Sequence, residues 1–394
     1  MRETRWWRGA AIGLLATGLI VGGVVAPAAA AVTRVAKVVQ EGVGDGADPN
    51  DEARFPDLLK LDDGRLMAVW HQAEEHQGTV GVIQVAFDNH DSGRTWPERH
   101  TALANQQATM GGKDTRDPKL AQMGDGSVLL TFFVAGEGVY FSIWHPGWHN
   151  FNDPKKLVVP GLPGIPSEHG SILPVAGSDP QAAEVLIPLY LGNGAAYFAR
   201  GTYRVTAGSI EVRDFWLLEG PSNAADGWTE SYYEPSFVQF GDSIVAVVRH
   251  ERVRSGTHVG AAARVITWSA SAVTPTFTKA YWNVQANSHH LLKTADGRLL
   301  FSYGDKTIEN RPTSATLISN PTVLPWRQPT AGQKIVPIYN SGFWDQANPS
   351  SVETSPGVFL TTGYNAKQKA TTEGPGRSPS GGTLWLLETR TADY

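Results

Sequence analysis

Cysteine is absent from all 394 residues. No disulfide can staple this chain, and zinc-thiolate, haem-thiolate and thiol-nucleophile chemistry are excluded. Stability must come from packing, for which thirteen tryptophans supply large apolar area. Excess basic charge is also missing: 33 Lys and Arg stand against 38 Asp and Glu, a formal charge of −5. Such a balance argues against nucleic acid as the main partner. Long apolar runs are absent beyond the opening "MRETRWWRGAAIGLLATGLIVGGVVAPAAAA". Its basic start, apolar stretch and small-residue end predict a secretory signal over residues 1–31. Removing Arg2, Arg5 and Arg8 against Glu3, a net +2, moves the charge from −5 to −7. The expectation is a secreted, extracellular monomer, one domain over 32–394, with no stable membrane association after cleavage. A retained anchor is the alternative, and it leaves the domain facing outward all the same.

Helical periodicity is missing after residue 32, where short apolar runs lie between Gly, Pro, Asn and Asp. One phrase recurs: "RFPDLLKLDDGRLMAVW", "RDPKLAQMGDGSVLLTFF", "EHGSILPVAGSDPQAAEVLIPLY", "YEPSFVQFGDSIVAVVR", "SHHLLKTADGRLLFSY" and "ANPSSVETSPGVFLTTGY". Each copy is a polar opening, a strand, a turn and a second strand, and the third has a longer, irregular turn. The turns fall roughly 55–60 residues apart, right for a four-stranded sheet plus loops. The prediction is an all-β, six-bladed β-propeller of four-stranded antiparallel blades. "VTRVAKVVQ" should pair beside "GTLWLLETR" and close the ring, so that no sheet edge is left exposed. A β-sandwich, the competing all-β architecture, would not require the period.

"NHDSGRTW", running from Asn89 to Trp96, resembles the Asp-box turn (S-x-D-x-G-x-T-W) of bacterial neuraminidase (BNR) repeats, with Asn89 in the Ser position. That resemblance implies a structural corner between the two outer strands of a blade, remote from the active site. A calcium loop would need alternate acidic ligands and a distal Glu, which this stretch lacks. "LISNPTVLPW", ending at Trp326, looks like an eroded second copy.

A hairpin returns its chain, so residues before each first strand and after each second strand should ring one mouth of the central channel. The first set is Arg54, Asp117, His169, Glu234, His289 and Asn348; the second is His71, Arg249, His250, Tyr303, Asp305, Tyr364 and Asn365. So many ionisable and aromatic groups exceed what a structural rim needs.

"ARFPDLLKLDDGRLMAVW" resembles the opening R-I-P segment of the sialidase superfamily, and "YEPSFVQFGDSIVAVVRH" the segment that carries the family's Glu and second Arg. The resemblance implies that Arg54 and Arg249 bind a substrate carboxylate and that Glu234 is the base or charge stabiliser. Arg suits this task as a planar, permanently charged fork. A Glu beside a Tyr can take its proton, giving a nucleophile that is neutral before reaction; sialidases depart in this way from the usual two-carboxylate scheme. The chain departs from the pattern at "ANPSSV", where Asn348 replaces the family Tyr, leaving Tyr364 or Tyr303 to serve. Arg311 is the nearest counterpart of the third Arg, and Glu75 is the candidate general acid in the loop after His71.

The expectation is a sialidase-like glycoside hydrolase acting on a terminal acidic sugar, with glycan as its partner and no cofactor or metal. Asp117, His169, His289, Asn348 and Tyr303 would line the subsite. Two alternatives stand beside it. Five histidines expected at the mouth, His71, His169, His250, His289 and His290, would suit a polysaccharide lyase on a uronate glycan. Loss of the Tyr at Asn348 would suit a non-catalytic glycan-binding propeller.

Overall fold

β-Branched and aromatic runs cut by Asp-Gly and Gly-Asp turns form twisted antiparallel sheets, and six of them make up this molecule. In the computed structural model the described residues are 37–45, 52–74, 76–326, 335–340, 345–365 and 383–394. The expected signal segment and Glu75 lie outside them.

Blade 1 runs Glu52–Lys60, Leu66–Ala73, Val82–Phe87, Glu98–Thr101, each strand pairing with the next. Blade 2 repeats the order with Thr115–Gln122, Val128–Val134, Gly138–Trp144 and Lys155–Lys156, and blade 5 with Ala286–Lys293, Leu299–Asp305, Thr313–Ile318 and Val336–Tyr339. Blade 4 is built on Thr229–Phe240, Ser243–Arg254, Ala263–Ser269 and Thr278–Trp282. In blade 3 the inner strand is broken into Pro166–Ser167 and Leu173–Pro174, both pairing with Ala182–Leu191, as its irregular phrase foreshadows. Blade 6 takes Gln346–Ser355, Val358–Asn365 and Thr383–Arg390 from the C-terminal end and Lys37–Asp45 from the N-terminal end. The first strand thus closes the ring onto the last. Among the described residues no helix is long and apolar enough to cross a membrane.

The apolar core is divided. Six buried clusters lie in the described residues, each between neighbouring blades: Met67, Val85 and Phe132 between blades 1 and 2, for example, and Phe359 and Trp385 with Leu300 between blades 5 and 6. Strand alternation sends successive side chains to the wedges on either side of each sheet. The inner edge of each sheet is left facing the central channel, where main-chain pairing ends.

At that edge five inner strands carry the same irregularity. The register slips between Arg54 and Asp57, Arg116 and Lys119, Tyr233 and Ser236, Asn287 and His290, and Ala347 and Ser350. At each slip a non-glycine residue adopts a left-handed φ: Phe55 (51°), Asp117 (48°), Glu234 (53°), Ser288 (46°) and Asn348 (50°), the last preceded by Ala347, also at positive φ (83°). Four of these precede a proline, Pro56, Pro118, Pro235 or Pro349. Proline biases its predecessor away from the right-handed helical region, and lacking an N–H it is tolerated in a strand only at an edge or bulge. Each left-handed residue costs about 1–3 kcal/mol, and such bulges serve to re-aim side chains at a rim.

The turn from Asn89 to Trp96 joins the third and fourth strands of blade 1. Asp91 accepts from the amides of Arg94 (2.9 Å) and Thr95 (3.1 Å) and from the Thr95 hydroxyl (2.6 Å). Trp96 donates its indole N–H to the Gly93 carbonyl and packs into the wedge against Leu360 and Leu386 of blade 6. Trp326 does the same in blade 5, donating to Pro321 O at 2.8 Å and packing edge-on to Trp282. The three hydrogen bonds that Asp91 accepts all lie within its own turn, so it serves as a corner.

Candidate active site

The bulges aim their side chains into a cleft of about 910 Å³ at one mouth of the channel. Asp117, His169, Glu234, Arg249, Asn348 and Tyr364, all expected at the mouth, line it together. Glu234, 9 % exposed, pairs closely with Arg249 and accepts the Ser288 amide at 3.0 Å. Burial alone would raise its carboxyl, but Arg249, His169, His289 and that amide outweigh burial and hold it well below the usual carboxylate range. Burial likewise opposes the ionisation of Asp117, and His169, whose Nδ1 stands 3.8 Å away, and Lys119 overcome it. Asn348 donates its amide to Asp117 at 3.2 Å. Two fixed anions therefore share one side of the cleft.

Across the mouth a second cluster centres on Asp345, 1 % exposed. It accepts from the Tyr364 hydroxyl at 2.5 Å, lies 3.1 Å from His76 Nδ1, and pairs with Arg54 (3.7 Å) and Arg311 (3.6 Å). Burial raises Asp345, but His76, Arg54 and Arg311 prevail and keep it ionised. Burial and the Asp345 charge push the Tyr364 phenol well above its ordinary value, so it enters any reaction neutral.

Several expectations need correction. Arg54 and Tyr303 are absent from the lining. Arg54 is buried behind the surface, turned onto Glu52 and onto Asp345 at 3.7 Å, and Phe55 holds the left-handed place in its bulge. Its counterpart in blade 2 is Arg116, which does line the cleft. Tyr303, 1 % exposed, shares a strand face with Leu299 and Phe301 and fills the wedge between blades 4 and 5. His71 lies on the same face as Met67 and Val69 and is wholly buried, its imidazole pushed down to about 3 by burial and Arg54. His250 is held by Glu230 (2.6 Å) and the Ala262 carbonyl (2.9 Å) and stacks on Tyr232. His289 and His290 border a chamber of about 50 Å³ that excludes the cleft-lining bulge residues, since Ser288, one position earlier, takes the left-handed place. Of the five histidines expected at the mouth, His169 alone lines the cleft.

Sequence reasoning missed Arg116, Tyr190, Tyr233, Glu251, Lys306 and Asp345. Arg116 had a signal, since "RDP" repeats "RFP" in phase. Tyr190 lies at the end of a blade 3 strand whose broken partner hides its register. Its phenol is pushed up by burial and by the Asp117 and Glu234 charges, which marks it as their neighbour.

No protein-family profile matches the sequence, and no curated protein matches it. Solved structures do. A protein of unknown function from Dyadobacter fermentans superposes with a TM-score of 0.65 at 15% identity, covering 91% of this chain and 100% of that one. Trypanosoma rangeli sialidase gives 0.59 at 11%, covering 90% of this chain and 58% of that one, so the present chain spans little more than half the sialidase's length. Penicillium chrysogenum α-L-arabinanase, solved with arabinobiose, gives 0.53 at 10%, covering 90% and 98%. The chain is a six-bladed β-propeller and shares the fold of sialidases and arabinanases, both glycoside hydrolases.

Proposed function

We propose that this protein is a glycoside hydrolase that removes a terminal acidic sugar bound in the mouth cleft. The observation carrying this reading is that two fixed anions, Asp117 and Glu234, and a neutral phenol, Tyr364, line one cleft, with the ionised Asp345 buried behind Tyr364 and accepting from its hydroxyl. The lining cations Arg116, Arg249, Lys306 and Arg311 (+4) exceed the lining carboxylates Asp117, Glu234 and Glu251 (−3) by one charge. That balance suits a singly charged sugar, and Arg retains donors for a substrate carboxylate beside its internal pair.

As the glycosidic bond stretches, positive charge develops at the anomeric carbon, and Asp117 and Glu234 stabilise it by pre-oriented charge. Tyr364 Oη attacks that carbon while its proton passes to Asp345 and the glycosidic C–O bond breaks, the leaving oxygen taking a proton from solvent at the open mouth. Water then attacks the same carbon, the free sugar departs, its spare proton going to solvent, and Asp345 returns its proton to Tyr364 Oη. No anionic nucleophile therefore meets the substrate carboxylate. Asp345 rather than Glu234 is the base in this scheme, because the Tyr364 hydroxyl donates to Asp345, while Glu234 is bonded to Arg249 and the Ser288 amide. The role expected of it narrows to charge stabilisation. Of the histidines expected to serve a lyase, His71, His250, His289 and His290 do not line the cleft, and the imidazoles that do are His76, His169 and His258.

The test is incubation of the purified protein with sialosides, uronate polysaccharides and arabinan, scoring released sugar and unsaturated-uronate absorbance together. Release of a free acidic sugar supports the proposal. Unsaturated product would replace it with a lyase, release of arabinose would remove the acidic specificity, and binding without product would leave a glycan-binding propeller.

A further inference from the structure

On the outer strand of blade 1, Glu98 and His100 stand two residues apart and so share a face. His149 approaches them from the loop between Gly138–Trp144 and Lys155–Lys156 of blade 2. That loop is fastened to blade 1. Asn150 donates to Thr101 O (2.7 Å), the Phe151 amide to Ala102 O (2.9 Å) and the Ala104 amide to Phe151 O (3.1 Å). Asn105 donates to Asp153 (2.8 Å), and Phe151 is wholly buried. The backbone of His149 is therefore held in place beside blade 1.

The donor atoms are arranged for a ligand. His100 Nε2 lies 2.7 Å from the His149 carbonyl oxygen. A carbonyl only accepts, so Nε2 carries the proton and Nδ1 presents a bare lone pair, the tautomer a metal ligand needs. That Nδ1 is buried and has no hydrogen-bond partner. Glu98 Oε1 stands 3.9 Å from it and 3.5 Å from His149 Nδ1, and one donor atom from each of the three residues falls within 4.8 Å of the others. Bonds of 2.0–2.1 Å in a tetrahedral site give donor separations of about 3.3 Å, so the edges of 3.9 and 3.5 Å are open by about 0.6 and about 0.2 Å, and the third lies within 4.8 Å. The two imidazoles stack at 3.9 Å. The His149 ring must swing off this stack to aim its lone pair at the same point, and its side chain, 67% exposed, is free to do so.

We propose that Glu98, His100 and His149 form a metal site for zinc or a similar borderline transition ion, tying the outer edge of blade 1 to blade 2, with water as the fourth ligand. Two imidazoles and one carboxylate suit zinc, whereas calcium and magnesium prefer oxygen alone. The ligands come from two blades, so no H-E-x-x-H type of spacing could reveal them, and the expectation of a metal-free chain was drawn from such spacings.

The test uses the untagged, chelator-treated protein, titrated calorimetrically with zinc chloride and with calcium chloride, and melted with and without each. The expected result is one zinc per chain, a rise in Tm with zinc and none with calcium. The dissociation constant should rise at least tenfold in both His149→Ala and Glu98→Gln. The His149 side chain is exposed and takes no part in the bonds that fasten its loop, while Glu98→Gln keeps both rings, so the two variants, with their melting temperatures compared, guard against misfolding as the cause. Absence of zinc binding, or equal binding by wild type and both variants, would overturn the proposal.

Discussion

Glu251 is the deepest carboxylate of the cleft wall, 1 % exposed, and it holds Arg249 (2.6 Å), Lys306 and His258 (2.9 Å) at once. Burial would raise its carboxyl, but Arg249 and Lys306 outweigh burial and bring it from 4.5 to about 2. Each pH unit of such a difference is worth 1.36 kcal/mol, so ionised Glu251 contributes about 3 kcal/mol to folding. Because the folded value is depressed, this contribution is fully present above pH 4.5 and is lost as pH falls through about 2. Glu251→Gln keeps the shape and removes the charge. Urea unfolding at pH 7 should show the variant less stable by about 3 kcal/mol, and the deficit should shrink steadily between pH 4.5 and pH 2. A deficit that stays constant over that window, or one below about 1 kcal/mol at pH 7, would refute the charge-network reasoning, since a hydrogen bond alone is worth about that much.

Three further outcomes follow from the same geometry. Asp91→Ala should lower stability by about 1–2 kcal/mol through three lost turn bonds, with kcat/KM unchanged; a loss of activity at matched folding would move the corner into the site. Trp96→Ala should cost about 3–5 kcal/mol in chemical denaturation, because it empties the wedge between blades 1 and 6. Tyr364→Phe keeps the buried ring and removes the hydroxyl that Asp345 accepts. Circular dichroism should be unchanged, while sugar release falls by about a hundredfold or more.

The propeller was legible because its signal is repeated: six phrases at one period, each with a turn whose chemistry is local, and a strand at each end of the domain to close the ring. Asp117, Glu234 and Asn348 were legible for the same reason, each standing before a proline at one point in the phrase. Arg54 was misplaced because its guanidinium turns onto Glu52 and Asp345, and His289 because its bulge gives the inward place to Ser288; aligned letters show neither. Tyr303 and His71 failed on strand alternation, which sends them into wedges covered by the neighbouring blade. Asp345, which joins Tyr364, His76, Arg54 and Arg311, lay beyond reach because its partners come from blades 1, 5 and 6 and no local pattern links them.

The central claim is that the bulge-borne carboxylates form the catalytic face of a hydrolase. Its most direct test is the rate of sugar release by Glu234→Gln on the substrate that wild type cleaves, with the fold checked by thermal melting. A loss of about a hundredfold or more in kcat, with substrate still bound, is the predicted result. A variant that turns over at the wild-type rate would contradict the account.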